Sequence, residues 1–250
     1  ADRTGDPGHG HGGRRAGAGR KPGARRPVPH RERPAHRSAH PVHVTLRVLD
    51  RVWNLRSKRG LKALRRAFAG SCERFGFRLV HYSVQGNHLH LIAEAPDRVA
   101  LSRAMKGLCV RIARGLNALM GTRGPVFTGR YYARPLRTPL EVGRALLYVL
   151  ANFRRHQAQV GRQLPTDFLD PFSSARHFDG WRSTRGLVRA LALDRDPCVE
   201  LPTGIQPPRV GLLRIGWRRY GLLDPTATPG PSAARLPAWP EHPVAPPGFD

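Results

Sequence analysis

The chain has 250 residues, and its 43 Lys plus Arg against 17 Asp plus Glu give a formal charge of +26. A length of this order supports one domain with extensions, and the charge imbalance points to a polyanionic partner. No apolar run approaches the roughly 20 residues needed to span a bilayer, so nucleic acid is favoured over a membrane as that polyanion. Cys72, Cys109 and Cys198 lie far apart with no ligand spacing, which argues against disulfides and structural zinc. With no recognisable secretory signal, reduced thiols and a cytoplasmic location are expected.

Residues 1–39 are Gly, Pro, Arg and His with almost no large apolar side chain, and they are expected to form a disordered basic arm. Arg20 and Lys21, inside Gly19-Arg20-Lys21-Pro22-Gly23, are candidate DNA contacts of a nonspecific electrostatic tether. His9 and His11 form a His-x-His pair there, but Gly-rich chain holds no rigid site.

The folded domain is expected over 40–181. Val42, Val44, Leu46 and Val48 alternate with His43, Thr45 and Arg47, predicting a strand with one buried face. Leu61, Leu64, Phe68, Cys72 and Phe75 recur at helical spacing, predicting a helix from about Ser57 to Phe75 that stops at Gly76. Arg78 to Val84 alternates again, with Val80, Tyr82 and Val84 on one face, and Gln85-Gly86-Asn87 turns into a second strand to make a hairpin.

On that second strand His88 and His90 project from one face with Ile92 and Glu94, while Leu89 and Leu91 point to the core. Neutral imidazoles bind divalent metals, so the pair can supply half of a coordination shell. In a chain with 12 histidines such a pair also arises by chance, and the reading needs further residues.

Asp97 caps a long helix with the stripe Leu101, Ala104, Met105, Leu108, Ile112, Leu116 and Leu119, ended by Gly121. Pro125 to Leu136 is rich in strand formers and ends in a proline suited to a sheet edge, predicting a fourth strand. Thr138, Pro139 and Glu141 start another helix, whose stripe is Val142, Ala145, Leu146, Val149 and Phe153. At about 100° per residue, Tyr148 and Asn152 lie beside that stripe, with Arg144 one turn before and Arg155 two turns after. A tyrosine so flanked suits a phosphate-facing role better than a core one.

The order strand, helix, strand, strand, helix, strand predicts an α+β fold, an antiparallel sheet with helices packed on one face, ferredoxin-like or palm-like. Residues 182–223 are expected to add a helical extension containing the apolar stretches 187–193 and 210–223. The run 224–250 holds eight prolines and is expected to be a flexible tail.

If His88, His90 and Asn152 converge on one ion, the ion can polarise a phosphate oxygen, and Tyr148 is placed to attack the phosphorus. At this point the sequence resembles the single-tyrosine HUH transposases, in particular those associated with REP palindromes. Gln85-Gly86-Asn87-His88-Leu89-His90-Leu91 looks like the His-hydrophobic-His motif of that family. Arg130-Tyr131-Tyr132-Ala133-Arg134-Pro135-Leu136-Arg137-Thr138-Pro139 with Ala145-Leu146-Leu147-Tyr148-Val149-Leu150-Ala151-Asn152 looks like its tyrosine-helix motif.

The resemblance implies a transposase-like enzyme dependent on Mg or Mn, cleaving and rejoining single-stranded DNA near hairpins through a 5′-phosphotyrosine. It further implies His88, His90 and Asn152 as metal ligands and Tyr148 as nucleophile, in a bacterial, nucleoid-associated monomer or homodimer with no membrane partner. Many relatives have Asn-Pro after the tyrosine helix, whereas this chain has Asn152-Phe153, which bears on the local geometry there. Arg130, Tyr131, Arg144 and Arg155 are the candidate DNA contacts of the folded domain. Tyr131 and Tyr132 remain rival nucleophiles, read here as core and base-stacking residues. A hairpin-binding module or repressor without strand transfer would show much the same sequence. An RNA-binding protein lacks a supporting ribonucleoprotein signature.

Overall fold

A computed structural model describes residues 36–183 and 201–229. The basic arm with Arg20 and Lys21, the stretch 187–193, Cys198 and the end of the tail lie outside the described residues. His40 N–H donates to Arg37 O (2.9 Å) and His36 Nε2 bonds Ala95 O (2.8 Å), so defined structure begins just ahead of the expected boundary.

Four antiparallel strands form one sheet in the order β2-β3-β1-β4: β1 is Val42–Arg47, β2 Arg78–Val84, β3 His88–Glu94 and β4 Tyr132–Pro135. The α+β antiparallel fold expected from the element order is present. Pro135 sits on the edge strand β4, where its missing N–H costs no ladder bond. The fourth strand is shorter than the predicted 125–136, because only its last part pairs with β1; Phe127 makes one isolated bridge to Val48.

Helices α1 (Lys58–Ala69) and α2 (Arg98–Met120) cover one face. Ser57 Oγ accepts from Gly60 N–H at the start of α1, and Asp97 Oδ1 from Ala100 N–H at the start of α2. Gly121, at φ +65, ends α2 in the left-handed conformation that favours glycine. Leu61, Leu64 and Phe68 from α1 and Leu101, Met105, Leu108 and Ile112 from α2 meet Val44, Leu46, Leu79, Leu89 and Leu91 in one apolar cluster. Helix α1 stops at Ala69 rather than running to Phe75. Gly70 and Ser71 break it, Ser71 Oγ donating back to Ala67 O (2.8 Å), and the chain continues through a short turn, Arg74–Gly76.

The opposite face is covered too, so the expectation of helices on one face holds for α1 and α2 only. Helix α3 (Pro139–Leu150) packs Val142, Ala145, Leu146 and Val149 against Val80 and Ile92, with Leu213 and Trp217 closing the cluster from later in the chain. For the same reason β1 has two buried faces instead of one, with His43 only 2% exposed. A bulge between Leu79 and His81 turns Val80 to the α3 side, away from Tyr82 and Val84 with which it was grouped.

The outer edge of β2 is closed by chain from two later segments. Gln206 N–H donates to Leu79 O (2.7 Å), Ser174 N–H to Tyr82 O (3.0 Å) and Val84 N–H to Phe172 O (2.9 Å). Glu94, buried at the end of β3, accepts from Arg209 N–H (3.0 Å) and Val210 N–H (2.9 Å), fixing the start of the turn Gly211–Arg214. None of the described helices is long and apolar enough to cross a membrane.

Candidate active site

The α3-covered face carries the histidines. Strand pairing sets His90 opposite Thr45 on β1 and Ser83 on β2, and His88 opposite Arg47. As expected from period-2 alternation, Leu89 and Leu91 enter the α1–α2 cluster while His88 and His90 stand on the other side. The His88 and His90 rings are 4.8 Å apart at nearly a right angle.

Helix α3 then lays Tyr148 onto this pair. Thr138 and Glu141 form a reciprocal capping box with Pro139 behind it, which starts the helix where the sequence predicted. The Tyr148 ring lies 5.1 Å from His90 and 5.8 Å from His43, edge-on to both. The Arg155 guanidinium lies 5.4 Å from the Tyr148 ring centre. Tyr148 is buried rather than phosphate-exposed along its length, only 4% exposed, because the sheet fills the side of α3 that was expected to look outward.

Helix α3 does not run on through Asn152. The chain breaks at Ala151 (φ −106, ψ 17), and a second helix, α4 (Asn152–Gln159), starts at Asn152 itself. Arg154 anchors α4 in its turned direction by donating to the carbonyls of Leu164 (3.0 Å), Pro165 (2.8 Å) and Phe168 (3.1 Å). His156 on α4 brings its ring 5.9 Å from that of His88.

Hydrogen bonds define which nitrogens are free. His88 Nδ1 donates to Asn87 Oδ1 (2.8 Å), which leaves the lone pair on Nε2. His90 Nδ1 is held by Thr45 Oγ1 and by His43 Nε2, each at 3.2 Å, and His90 Nε2 is buried with no partner. Asn152 is fully buried, and neither Oδ1 nor Nδ2 has a hydrogen-bond partner. Leaving one such atom unpaired costs about 1–3 kcal/mol unless a ligand or solvent satisfies it.

Burial makes these imidazoles neutral at physiological pH. It pushes His88 down to about 3, with His156 and Arg47 adding repulsion, and His43 down to about 4, with help from Arg134. His90 is likewise held well below the ordinary histidine value by burial and by its histidine neighbours. Neutral nitrogen is the metal-binding form. No group of three His, Cys, Asp or Glu side chains among the described residues is arranged to hold an ion. The neutral His88 and His90 imidazoles and the unpartnered Asn152 amide are of the side-chain types that divalent ions accept.

The remaining sequence candidates divide. Arg144 and Arg130 are exposed, Arg144 on α3 and Arg130 just before β4. Tyr131 does not reach this face: it packs against the α1–α2 cluster and lines a small cleft with Val42 and Leu101. Tyr132 pairs with Thr45 and so shares the histidine face. Sequence reasoning passed over His43, Thr45 and His156. The β1 alternation marked the first two as facing away from the core, but only the sheet order puts them beside His90.

Residues 36–138 match the family model described as transposase, IS200 like. That stretch is similar to the IS200-like transposases. The transposase segment contains β1 to β4 with both histidines and ends at the cap of α3, so Tyr148 and Asn152 follow it. The chain is also similar to a solved REP-associated tyrosine transposase bound to a REP hairpin, at 16% identity, over 60% of this chain and 84% of that one, with a TM-score of 0.47. Among curated proteins none matches it. The match over residues 36–138 supports a DNA-processing role of transposase type.

Proposed function

We propose that the protein cleaves and rejoins single-stranded DNA beside hairpins of REP type, by transesterification through Tyr148. The observation that carries this reading is the Tyr148 ring set 5.1 Å from His90, whose Nε2 is buried and unpartnered. Tyr148 Oη attacks the phosphorus, the P–Oη bond forms, and the P–O3′ bond breaks. The phenol loses its proton and the leaving 3′ oxygen gains one, so the step is balanced and releases a 3′ hydroxyl with the 5′ phosphate on tyrosine. A later 3′ hydroxyl reverses it, which suits strand transfer on nucleoid DNA.

His88, His90 and Asn152 would hold Mg or Mn, which when bound neutralises charge developing on the phosphate oxygens. Thr45 and His43 orient His90 through Nδ1, and Asn87 does the same for His88. Arg155 keeps the tyrosine ring in place and puts a positive charge beside the incoming phosphate.

The test incubates wild type and Tyr148→Phe with end-labelled hairpin oligonucleotides bearing single-stranded flanks, in Mg or Mn. A covalent protein–DNA band retaining the 3′-labelled fragment, present in wild type and absent from the variant, is expected. An adduct that persists in Tyr148→Phe would move the nucleophile to Tyr132, which shares the face. Hairpin binding by both proteins with no adduct would leave a DNA-binding module.

A further inference from the structure

The face of the sheet turned away from Tyr148 carries a feature that the proposed chemistry does not use. Between the outer sides of α1 and α2 lies an open trough of about 640 Å³. Arg59, Lys62 and Arg66 line it from α1, at the spacing of one helical stripe, and Arg111 and Arg114 line it from α2. Small residues make its floor: the helices approach closely where Gly115 faces Ala63, with room for only an ordinary contact from an added methyl group.

None of these five cations pairs with a carboxylate among the described residues. Arg59, Lys62, Arg66 and Arg114 are exposed, and Arg111 donates only to Gly107 O on its own helix (3.1 Å). Five like charges around one trough repel each other in the free protein, and a polyanion laid between them removes that cost. The lining holds no aromatic side chain on which an unpaired base could stack, so the site suits a sugar–phosphate backbone rather than splayed single-stranded bases.

We propose that this trough is a second nucleic-acid surface, which holds the backbone of duplex DNA while single-stranded DNA occupies the histidine face. The two surfaces are separated by the full thickness of the sheet, since α1 and α2 pack on the Leu89 and Leu91 side and Tyr148 on the His90 side. One molecule therefore engages two DNA segments at once. The surface requires no catalysis and stands whether or not Tyr148 forms an adduct.

The test uses the full 250-residue chain, with Arg66→Ala/Arg114→Ala against Arg162→Ala/Arg219→Ala as a control of equal charge. Binding of a blunt, fully paired DNA duplex is followed by fluorescence anisotropy across a salt series. Loss of two phosphate contacts is expected to lower the slope of log affinity against log salt by about 2 in the trough variant, with less change in the control. Binding of a short unpaired oligonucleotide is expected to stay within about twofold in the trough variant. Equal losses in both variants would overturn the proposal, as would unchanged duplex binding. A loss confined to vesicles of anionic phospholipid or to duplex RNA would overturn it in favour of those partners. Circular dichroism of each variant is expected to match wild type, because the four substituted side chains are exposed.

Discussion

The two faces of the sheet are built from the same strands and differ in what they bury. Under α1 and α2 the strands present Val44, Leu46, Leu79, Leu89 and Leu91, an apolar layer held by dispersion and exclusion of water. Under α3 they present His43, His90, Ser83 and Glu94 beside Val80 and Ile92, so polar groups lie at the same depth as aliphatic ones. Burying polar groups lowers stability unless each finds a partner, and on this face His90 Nε2 and the Asn152 amide have none. The first face thus supplies stability, and the second carries buried polar groups that lower it.

Neighbouring residues of β3 test this contrast most directly. Leu91→Ala removes a fully buried side chain from the apolar layer and is expected to cost about 2–5 kcal/mol in denaturant unfolding. His90→Ala, facing the other way, should cost clearly less stability while lowering adduct formation roughly 10²- to 10³-fold. Equal stability losses for the two would erase the distinction between the faces.

Acid should weaken the polar face first. His81, buried there with Nδ1 3.2 Å from Ser174 Oγ and its ring edge-on to Phe178, is pushed down to about 4 by burial, against a raising influence from Asp179. The unfolded chain takes up this proton near the ordinary value of 6.5, the folded chain only near 4. The associated stability is fully present above about pH 6.5 and falls as pH drops toward 4, by roughly 3 kcal/mol for one such group. His81→Gln is expected to flatten the decline between those values by one proton in equilibrium unfolding followed against pH. An unaltered slope would show that His81 does not contribute to it.

The smallest of these effects concerns orientation of a ligand rather than its presence. His43→Phe keeps a ring against Tyr148 but removes the hydrogen bond to His90 Nδ1. Manganese affinity, measured by calorimetric titration, is expected to fall roughly 10-fold, with thermal stability changed little. Unchanged affinity would assign the orientation of His90 to Thr45 alone.

Strong local signals were legible along the chain. Asp97 and Gly121 bracket α2, and the Thr138–Glu141 box starts α3, because caps act through hydrogen bonds a few residues long. The β2–β3 hairpin and the sidedness of His88 and His90 follow from a two-residue period. Three features escaped that reading. The bulge at Val80 depends on what lies over β2, the break at Ala151 on Arg154 finding three carbonyls in the 164–168 loop, and the start of β4 on where β1 offers a partner. None of these has a marker within its own few residues.

By itself, then, the sequence determined the elements, the α+β class, the charge, and the two motifs carrying His88, His90, Tyr148 and Asn152, since periodicity, caps and charge are local or additive properties. Only the tertiary structure decided that α3 crosses to the far side of the sheet, that Tyr148 is packed on His90, and that His43 and Thr45 stand behind that imidazole. Those contacts join residues 45 to 58 positions apart, from Thr45 and His43 with His90 to His90 with Tyr148. They exist because strand order and face coverage are settled by burying two apolar layers at once, which no single stretch of the chain encodes.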